Sequence, residues 1–379
     1  MAYDKEFMER AIQLAKKGEG WVNPNPLVGA VIVKDKVIIG QGYHKEYGNL
    51  HAEREALKNA IENGQDVKGA EMYVTLEPCS HTGKQPPCTQ AIIEAGIKRV
   101  YVGSSDPNPL VSGNGIWQLR EAGVEVFTGC MKEKCDELNP VFFHFITKKY
   151  PYIVYKYAMT MDGKTATKAG KSRWISGPSS RHIVQEMRNK YMAIMVGIGT
   201  VLSDNPSLRC HLEEEEGQDR KYRDPIRIIL DSHLRIPMDS QIVKTAGQVK
   251  TYVASLAEEE KANRQKIREL KKLGVGTLLI PSDENGKVDL DKLFYQLGRM
   301  NIDSILLEGG GNLAWSMMDK GYVEEVAMFV GPKFFGGAYS PTPLEGLGIS
   351  DVEKAPGFNL IELKMMDQDI YARYIKTQE

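Results

Sequence analysis

The chain is 379 residues long, 42% hydrophobic and 26% charged, the usage of an ordinary globular protein spread over two or three domains. Lys plus Arg number 49 against 50 Asp plus Glu, a formal net charge of −1, so the basic surplus of a general nucleic-acid binder is missing. No run of 18 apolar residues suggests a membrane span, the acid-bearing amphipathic N-terminus does not read as a signal peptide, and five cysteines are an odd set for a disulfide framework; a soluble cytoplasmic protein is expected.

Phe7, Met8, Ala11, Ile12, Leu14 and Ala15 recur at helical spacing. Leu27 to Val33 and Val37 to Gly42 read as strands around a Lys34-Asp35-Lys36 turn. A helix follows from His51 to Gly64, stopped by Asn63-Gly64, then a strand from Met72 to Pro78 and a helix opening at Cys88. Arg99 starts a strand that runs into a Pro-rich loop, Gly115 to Ala122 is helical, and VEVFTG is a last strand. Strands separated by helices predict an α/β layered domain. The pattern restarts near Thr147-Lys148-Lys149-Tyr150-Pro151, placing the domains at 1–146 and 147–379. The second has strands at Tyr152 to Ala158, Tyr191 to Gly197, Ile226 to Ser232, VKTYVAS, GTLLIP, SILLEG and EVAMFVG. Its helices are predicted around Ser179 to Asn189, Ala257 to Leu273, Asp289 to Leu297 and Leu313 to Lys320, with an exposed loop at Glu213 to Glu216.

One constellation in the first half carries chemistry. His51-Ala52-Glu53 opens a helix, Pro78-Cys79 follows a strand, and Cys88 opens the next helix. Two thiolates and one imidazole can hold Zn²⁺ with a fourth position open to water, whose pKa the metal lowers. Glu53, two residues from His51, is then a carboxylate free to carry protons, as in the H-x-E … P-C … C pattern of zinc deaminases. Eight residues separate Cys79 from Cys88 where that pattern has two, which fits either a lost site or a longer-looped subfamily. Cys130, Cys135 and Cys210 have no such company and read as structural thiols.

VNPNPLVGAVIV, GYHKEYGNLHAE, TLEPCSHTGKQPPC and DPNPLVSGNG resemble the deaminase half of the bifunctional riboflavin-biosynthesis deaminase/reductase family, in which the long cysteine loop is the normal state. The resemblance implies a cytidine-deaminase-like α/β/α domain that removes a ring amine from a diaminopyrimidinone ribosylamine phosphate. It implies that Asn23 and His44 face the pyrimidine or sugar, and that Lys84 reaches the phosphate, with Asn108 a weaker candidate. The local alternatives are a turn residue for Asn23, a turn or surface histidine for His44 and a solvated loop charge for Lys84.

In the second half, Glu308-Gly309-Gly310-Gly311-Asn312 and Gly197-Ile198-Gly199-Thr200 are strand-to-helix turns of the kind that brings backbone N–H groups to a phosphate, though neither is G-x-G-x-x-G. Together with KYAMTMDGK, SRWISG and VGIGTVLSDNPSL they resemble the reductase half of the same family, with a dihydrofolate-reductase-like α/β fold. The resemblance implies NADPH as hydride donor, met by Ala158, Trp174, Thr200, Asp204, Ser232 and the turn Gly310, Gly311, Asn312, Leu313, Ala314, Trp315 and Ser316. Lys156, Ser172, Arg188, Leu208 and Glu308 fall to the substrate. Bland alternatives stand beside these: Trp174 and Leu208 as core, Asp204 as a turn cap, Arg188 as a partner of Glu186. Where the family pattern usually ends in arginine this chain has His211, with Arg209 two residues earlier. The expected partners are small phosphorylated pyrimidines, with no nucleic acid and no membrane, and the chain is expected to form a homo-oligomer through the reductase sheet.

Overall fold

The computed structural model describes residues 3–81, 86–108, 112–212 and 222–377. The chain divides into Met1–Lys149 and Tyr150–Glu379, three residues beyond the joint expected from the sequence. The reason is a helix, Pro140–Lys148, that carries the first unit past residue 146 and ends on Lys149 in the left-handed conformation.

In the first unit, helix α1 (Lys5–Lys16) starts at Asp4, whose side chain accepts from the Glu6 N–H, and buries the periodic Met8, Ala11, Ile12, Leu14 and Ala15. Strands β1 (Gly29–Lys34) and β2 (Val37–Tyr43) form a hairpin closed by Asp35 and Lys36, both at positive φ, the two-residue turn whose twist suits paired strands. Then come α2 (Ala52–Glu62), β3 (Glu71–Leu76), α3 (Cys88–Glu94), β4 (Arg99–Ser104), α4 (Asn114–Glu121), β5 (Glu125–Thr128), α5 (Lys132–Asp136) and α6 (Pro140–Lys148). The sheet order is β2-β1-β3-β4-β5, with β3, β4 and β5 parallel. Alternation sends Ala30, Ile32, Met72, Val74, Val100 and Val102 to one core, with residues of α2, α3 and α4, and Val31, Val33, Tyr73 and Tyr101 to another, with residues of α1. The unit is therefore the expected α/β/α sandwich. Gly42 permits the close seating of α2, because a Cβ there would lie 2.4 Å from the Ala56 nitrogen.

The second unit runs β6 (Tyr152–Thr160), α7 (Pro178–Lys190), β7 (Ala193–Gly197), α8 (Ile198–Asp204), β8 (Ile226–Leu230), α9 (Gln241–Lys244), β9 (Thr251–Leu256), α10 (Arg264–Lys272), β10 (Val275–Ile280), α11 (Leu290–Arg299), β11 (Ser304–Leu307), α12 (Gly311–Asp319), β12 (Val323–Gly331), β13 (Phe358–Met366) and β14 (Asp369–Lys376). Its sheet order is β10-β9-β8-β7-β11-β6-β12-β14-β13, parallel from β10 to β12 and antiparallel over the last three strands. The parallel strands are buried and apolar, as helices on both faces require.

Two expectations needed correction. The single helix expected from Ala257 to Leu273 is a 3₁₀ turn, Ala257–Glu259, followed by α10; between them Asn263 leaves the helical region at φ −106, ψ 17, and its side-chain amide donates to the Glu259 carbonyl and carboxylate. Strands β13 and β14 were not anticipated; β13 is an edge strand exposed on both faces, so no burial alternation marks it. The Glu213 to Glu216 loop lies outside the described residues.

Candidate active sites

His51 is the N-cap of α2, Cys79 follows the end of β3, and Cys88 is the first residue of α3, so three element ends converge. The His51 Nδ1 atom lies 3.5 Å from the Cys79 Sγ and 3.5 Å from the Cys88 Sγ. Zinc with Zn–S of ~2.3 Å and Zn–N of ~2.0 Å in a tetrahedral site sets sulfur and nitrogen ~3.6 Å apart, so the donor set fits that ion. Among the described residues this is the cluster of His, Cys, Asp or Glu side chains close enough to hold a metal, all ligand atoms lying within 4.8 Å of one another. The eight-residue loop does not spoil the site: the Cys88 N–H donates to the Cys79 Sγ at 3.4 Å, and Arg54 holds the loop's exit through the Pro86 and Pro87 carbonyls at 3.2 and 2.9 Å. Arg54 had no signal in the sequence beyond its place one residue after Glu53.

The electrostatics are those of a primed ligand set. A hydrogen bond from the Cys88 thiol, and then one with His51, outweigh burial and hold Cys79 at about 4. Cys88, beside that thiolate and deeply buried, is pushed up. His51 is raised, first by its hydrogen bond with Cys79. Glu53, 3% exposed on the first turn of α2, is raised by burial and then by the Cys79 charge. His44 is buried beside this cluster, its ring centroid 5.2 Å from that of His51, and it contacts the Leu50 carbonyl at 3.0 Å and the Asn25 amide at 3.1 Å. Asn25 of the N-P-N-P run thus lies on the His44 ring, and Asn23 sits in the turn before it. Lys84 lies outside the described residues.

In the second unit a cavity of about 1100 Å³ opens. That is at or above the upper end of ordinary small-molecule pockets, ~1,000 Å³, and accommodates a dinucleotide beside a substrate. Lys156 on β6, Arg188 on α7 and Glu308 after β11 meet in its wall. Arg188 donates to Glu308 through Nε and Nη2 at 2.8 and 3.1 Å, and Lys156 Nζ donates to it at 3.4 Å. Burial alone would raise Glu308, but the Arg188 charge and then Lys156 win and hold it at about 2. Ala158, Ser172, Trp174, Thr200, Asp204, Leu208, Gly310 and Gly311 also line the cavity. Leu208, which is 3% exposed, lines the cavity and also packs into the core below. The Trp174 ring lies under the Arg181 guanidinium, 4.5 Å away. A Cβ on Gly310, the N-cap of α12, would meet open space, leaving the turn free to cradle a phosphate.

Other expected contacts fall away from this wall. Ser232 and Asn312 through Ser316 are not among its lining residues; Ala314 is in the core and the Asn312 amide donates to Glu345 at 2.8 Å. Asn312 to Ser316 follow the glycine turn in sequence, but α12 turns their side chains to other surroundings, while Ser232 lies just past the end of β8. Arg209 is engaged by Asp224 and Gln248, whereas His211 lines the cavity with Nε2 3.1 Å from Ser207 Oγ.

Residues 1–104 match the cytidine and deoxycytidylate deaminase zinc-binding region, and residues 151–372 match the RibD C-terminal domain. The riboflavin biosynthesis protein RibD of Actinobacillus pleuropneumoniae is 48% identical over 98% of this chain and 95% of its own. The chain belongs to the RibD family. The RibD of Escherichia coli K12 is 38% identical over 97% of this chain and 98% of its own. The solved RibD of Acinetobacter baumannii superposes with a TM-score of 0.86 at 34% identity, covering 99% of both chains. A diaminohydroxyphosphoribosylaminopyrimidine deaminase/5-amino-6-(5-phosphoribosylamino)uracil reductase from Thermotoga maritima does so at 0.85 and 39% identity, over 98% of both. The RibD fold thus extends through both units.

Proposed function

We propose that this RibD-family enzyme carries out two successive reactions of riboflavin biosynthesis. The first unit removes a ring amine hydrolytically from 2,5-diamino-6-ribosylamino-4(3H)-pyrimidinone 5′-phosphate. The second reduces the ribosyl side chain to ribityl with NADPH, giving 5-amino-6-ribitylamino-uracil 5′-phosphate. The observation that carries the first step is the convergence of His51, Cys79 and Cys88 beside the buried Glu53.

His51, Cys79 and Cys88 would hold zinc, which when bound activates water for attack on the ring. Glu53 carries the proton from that water to the departing amine, a role suited to a carboxyl that burial keeps protonated at higher pH than a free glutamate. Asn23 and His44 orient the pyrimidine and sugar, and Lys84 takes the phosphate.

In the second unit NADPH would supply the hydride. The Gly310–Gly311 turn, Ala158, Trp174, Thr200 and Asp204 bind the cofactor, supported by the cavity they line. Lys156 and Arg188, anchored on Glu308, present two cations to the substrate with Ser172 and Leu208 beside them.

No helix among the described residues is long and apolar enough to cross a membrane, and all five cysteines are free, which suits a reducing cytoplasm. The edge strand β13 exposes Leu360, Ile361, Leu363 and Met365, an apolar strip suited to pairing with a second copy of the chain.

The deciding experiment is Glu53→Gln in the full-length protein. Ammonia release from the diaminopyrimidinone should be abolished while NADPH oxidation with the deaminated substrate persists. Loss of both activities in a folded protein, or of neither, refutes two separate sites.

A further inference from the structure

Helix α4 begins without a cap of its own: its N-cap is Gly113, at φ 77, which has no side chain to offer. The missing acceptor comes from Glu77, two residues before Cys79 and 3% exposed. Its Oε1 accepts from the N–H groups of Gly115 and Ile116 at 3.1 and 3.4 Å, the second and third positions of the helix, as an N-cap side chain would. Its Oε2 accepts from Gly113 and Asp106 at 3.1 and 3.4 Å. One carboxylate therefore ties both flanks of the DPNP loop to the strand end that carries a metal ligand, and its negative charge suits the positive end of the helix. The fit is close: a Cβ on Gly115 would sit 2.1 Å from the Pro78 carbonyl oxygen and 3.3 Å from Glu77 Oε1. The loop flanks the metal-binding cluster, since Gly115, just past its end, abuts the carbonyl of Pro78, the residue before Cys79.

We infer that Glu77 is a positioning residue of the deaminase site, fixing the Asp106–Asn108 wall against the Cys79 strand so that this wall is preorganised for the pyrimidine phosphate. This inference rests on the deaminase reading above. Glu77 touches no reacting atom; it acts through backbone N–H groups, so its loss loosens the wall more than the ligand set.

The test uses full-length, zinc-loaded protein. Glu77→Gln keeps the shape but turns an NH₂ group toward N–H donors. It should raise the deaminase KM for the diaminopyrimidinone ribosylamine phosphate about tenfold, the scale of one or two lost hydrogen bonds to a charged acceptor. kcat should stay within about twofold, zinc content and reductase activity should be unchanged, and amide exchange at Gly113, Gly115 and Ile116 should quicken. An unchanged KM with unchanged exchange overturns the inference. So does loss of zinc with a fallen kcat and the original KM, which would make Glu77 a support for Cys79 alone. If Glu77→Gln does not fold, Glu77→Asp, which keeps the charge but withdraws it, must show a raised KM, and a wild-type KM there overturns the inference. Glu53→Gln run alongside separates the failures: deamination surviving that change defeats the deaminase reading itself, whereas its loss with Glu77 silent defeats only the positioning role.

Discussion

Arg188 and Glu308, 120 residues apart, meet through two parallel N–H···O bonds of 2.8 and 3.1 Å in the wall of the reductase cavity. Their side chains are 14% and 11% exposed, so the pair is poorly screened. Glu308 has a folded-state pKa of about 2, below the 4.5 of a free glutamate. A depressed acid contributes stability that is present above its unfolded pKa and lost as pH falls through the folded value. The window is therefore pH 4.5 down to about 2, and the contribution is on the order of 3 kcal/mol. Glu308→Gln should flatten that part of the unfolding-versus-pH curve, lower stability by ~3 kcal/mol at pH 7 and cut reductase turnover, with ammonia release unaffected. Denaturant melts from pH 3 to 7 on both proteins check the sign.

The buried Glu53 makes the opposite contribution. Burial raises its folded pKa above 4.5, so above that value the folded chain holds more protons and stability declines as pH rises. In metal-free protein Glu53→Gln removes this burden, and the first unit should melt a few degrees higher at pH 7 although its deamination is lost. A Glu53→Gln protein that melts lower than wild type, both chelated, would contradict the assigned desolvation.

Zinc loading should release protons unequally from its ligands. Cys79, held at about 4, is already a thiolate at pH 7, while Cys88 and His51 are both raised and give up protons on binding. Calorimetric titration of the chelated protein in two buffers of different ionisation enthalpy should report about one to two protons released per zinc. Cys88→Ser should abolish tight zinc binding, and chelation should remove ammonia release while leaving NADPH oxidation.

If β13 pairs with a second chain, a charge at its apolar strip should prevent it. Leu363, 63% exposed, is the place to put one. Leu363→Lys should shift the sedimentation profile toward monomer at micromolar concentration with little change in the stability of a single chain, because the side chain is already in water when the chain is alone.

Much of the deaminase centre was legible in the sequence because each ligand sits at an element end with its own local signal. His51 precedes an amphipathic helix, Cys79 follows an apolar strand, and Cys88 opens a helix. The α1 face and the Asp35–Lys36 turn were legible for the same reason, since periodicity and turn chemistry act over a few residues. The contacts of Glu77 with Gly113 and Gly115, of Arg188 with Glu308, and of His44 with Asn25 were not. Strand order decides the first two: β3 pairs with β4, and β7, β11 and β6 lie side by side although residues 153 and 305 are far apart in the chain. Local pattern also could not tell which residues past the Gly310–Gly311 turn face the cavity, because a helix sends neighbouring side chains in different directions. The types and spacing of the candidate zinc ligands were thus properties of the sequence itself. Which carboxylates cap, pair or stay free to move protons was decided only when the sheets brought distant backbone and side-chain groups within hydrogen-bond reach.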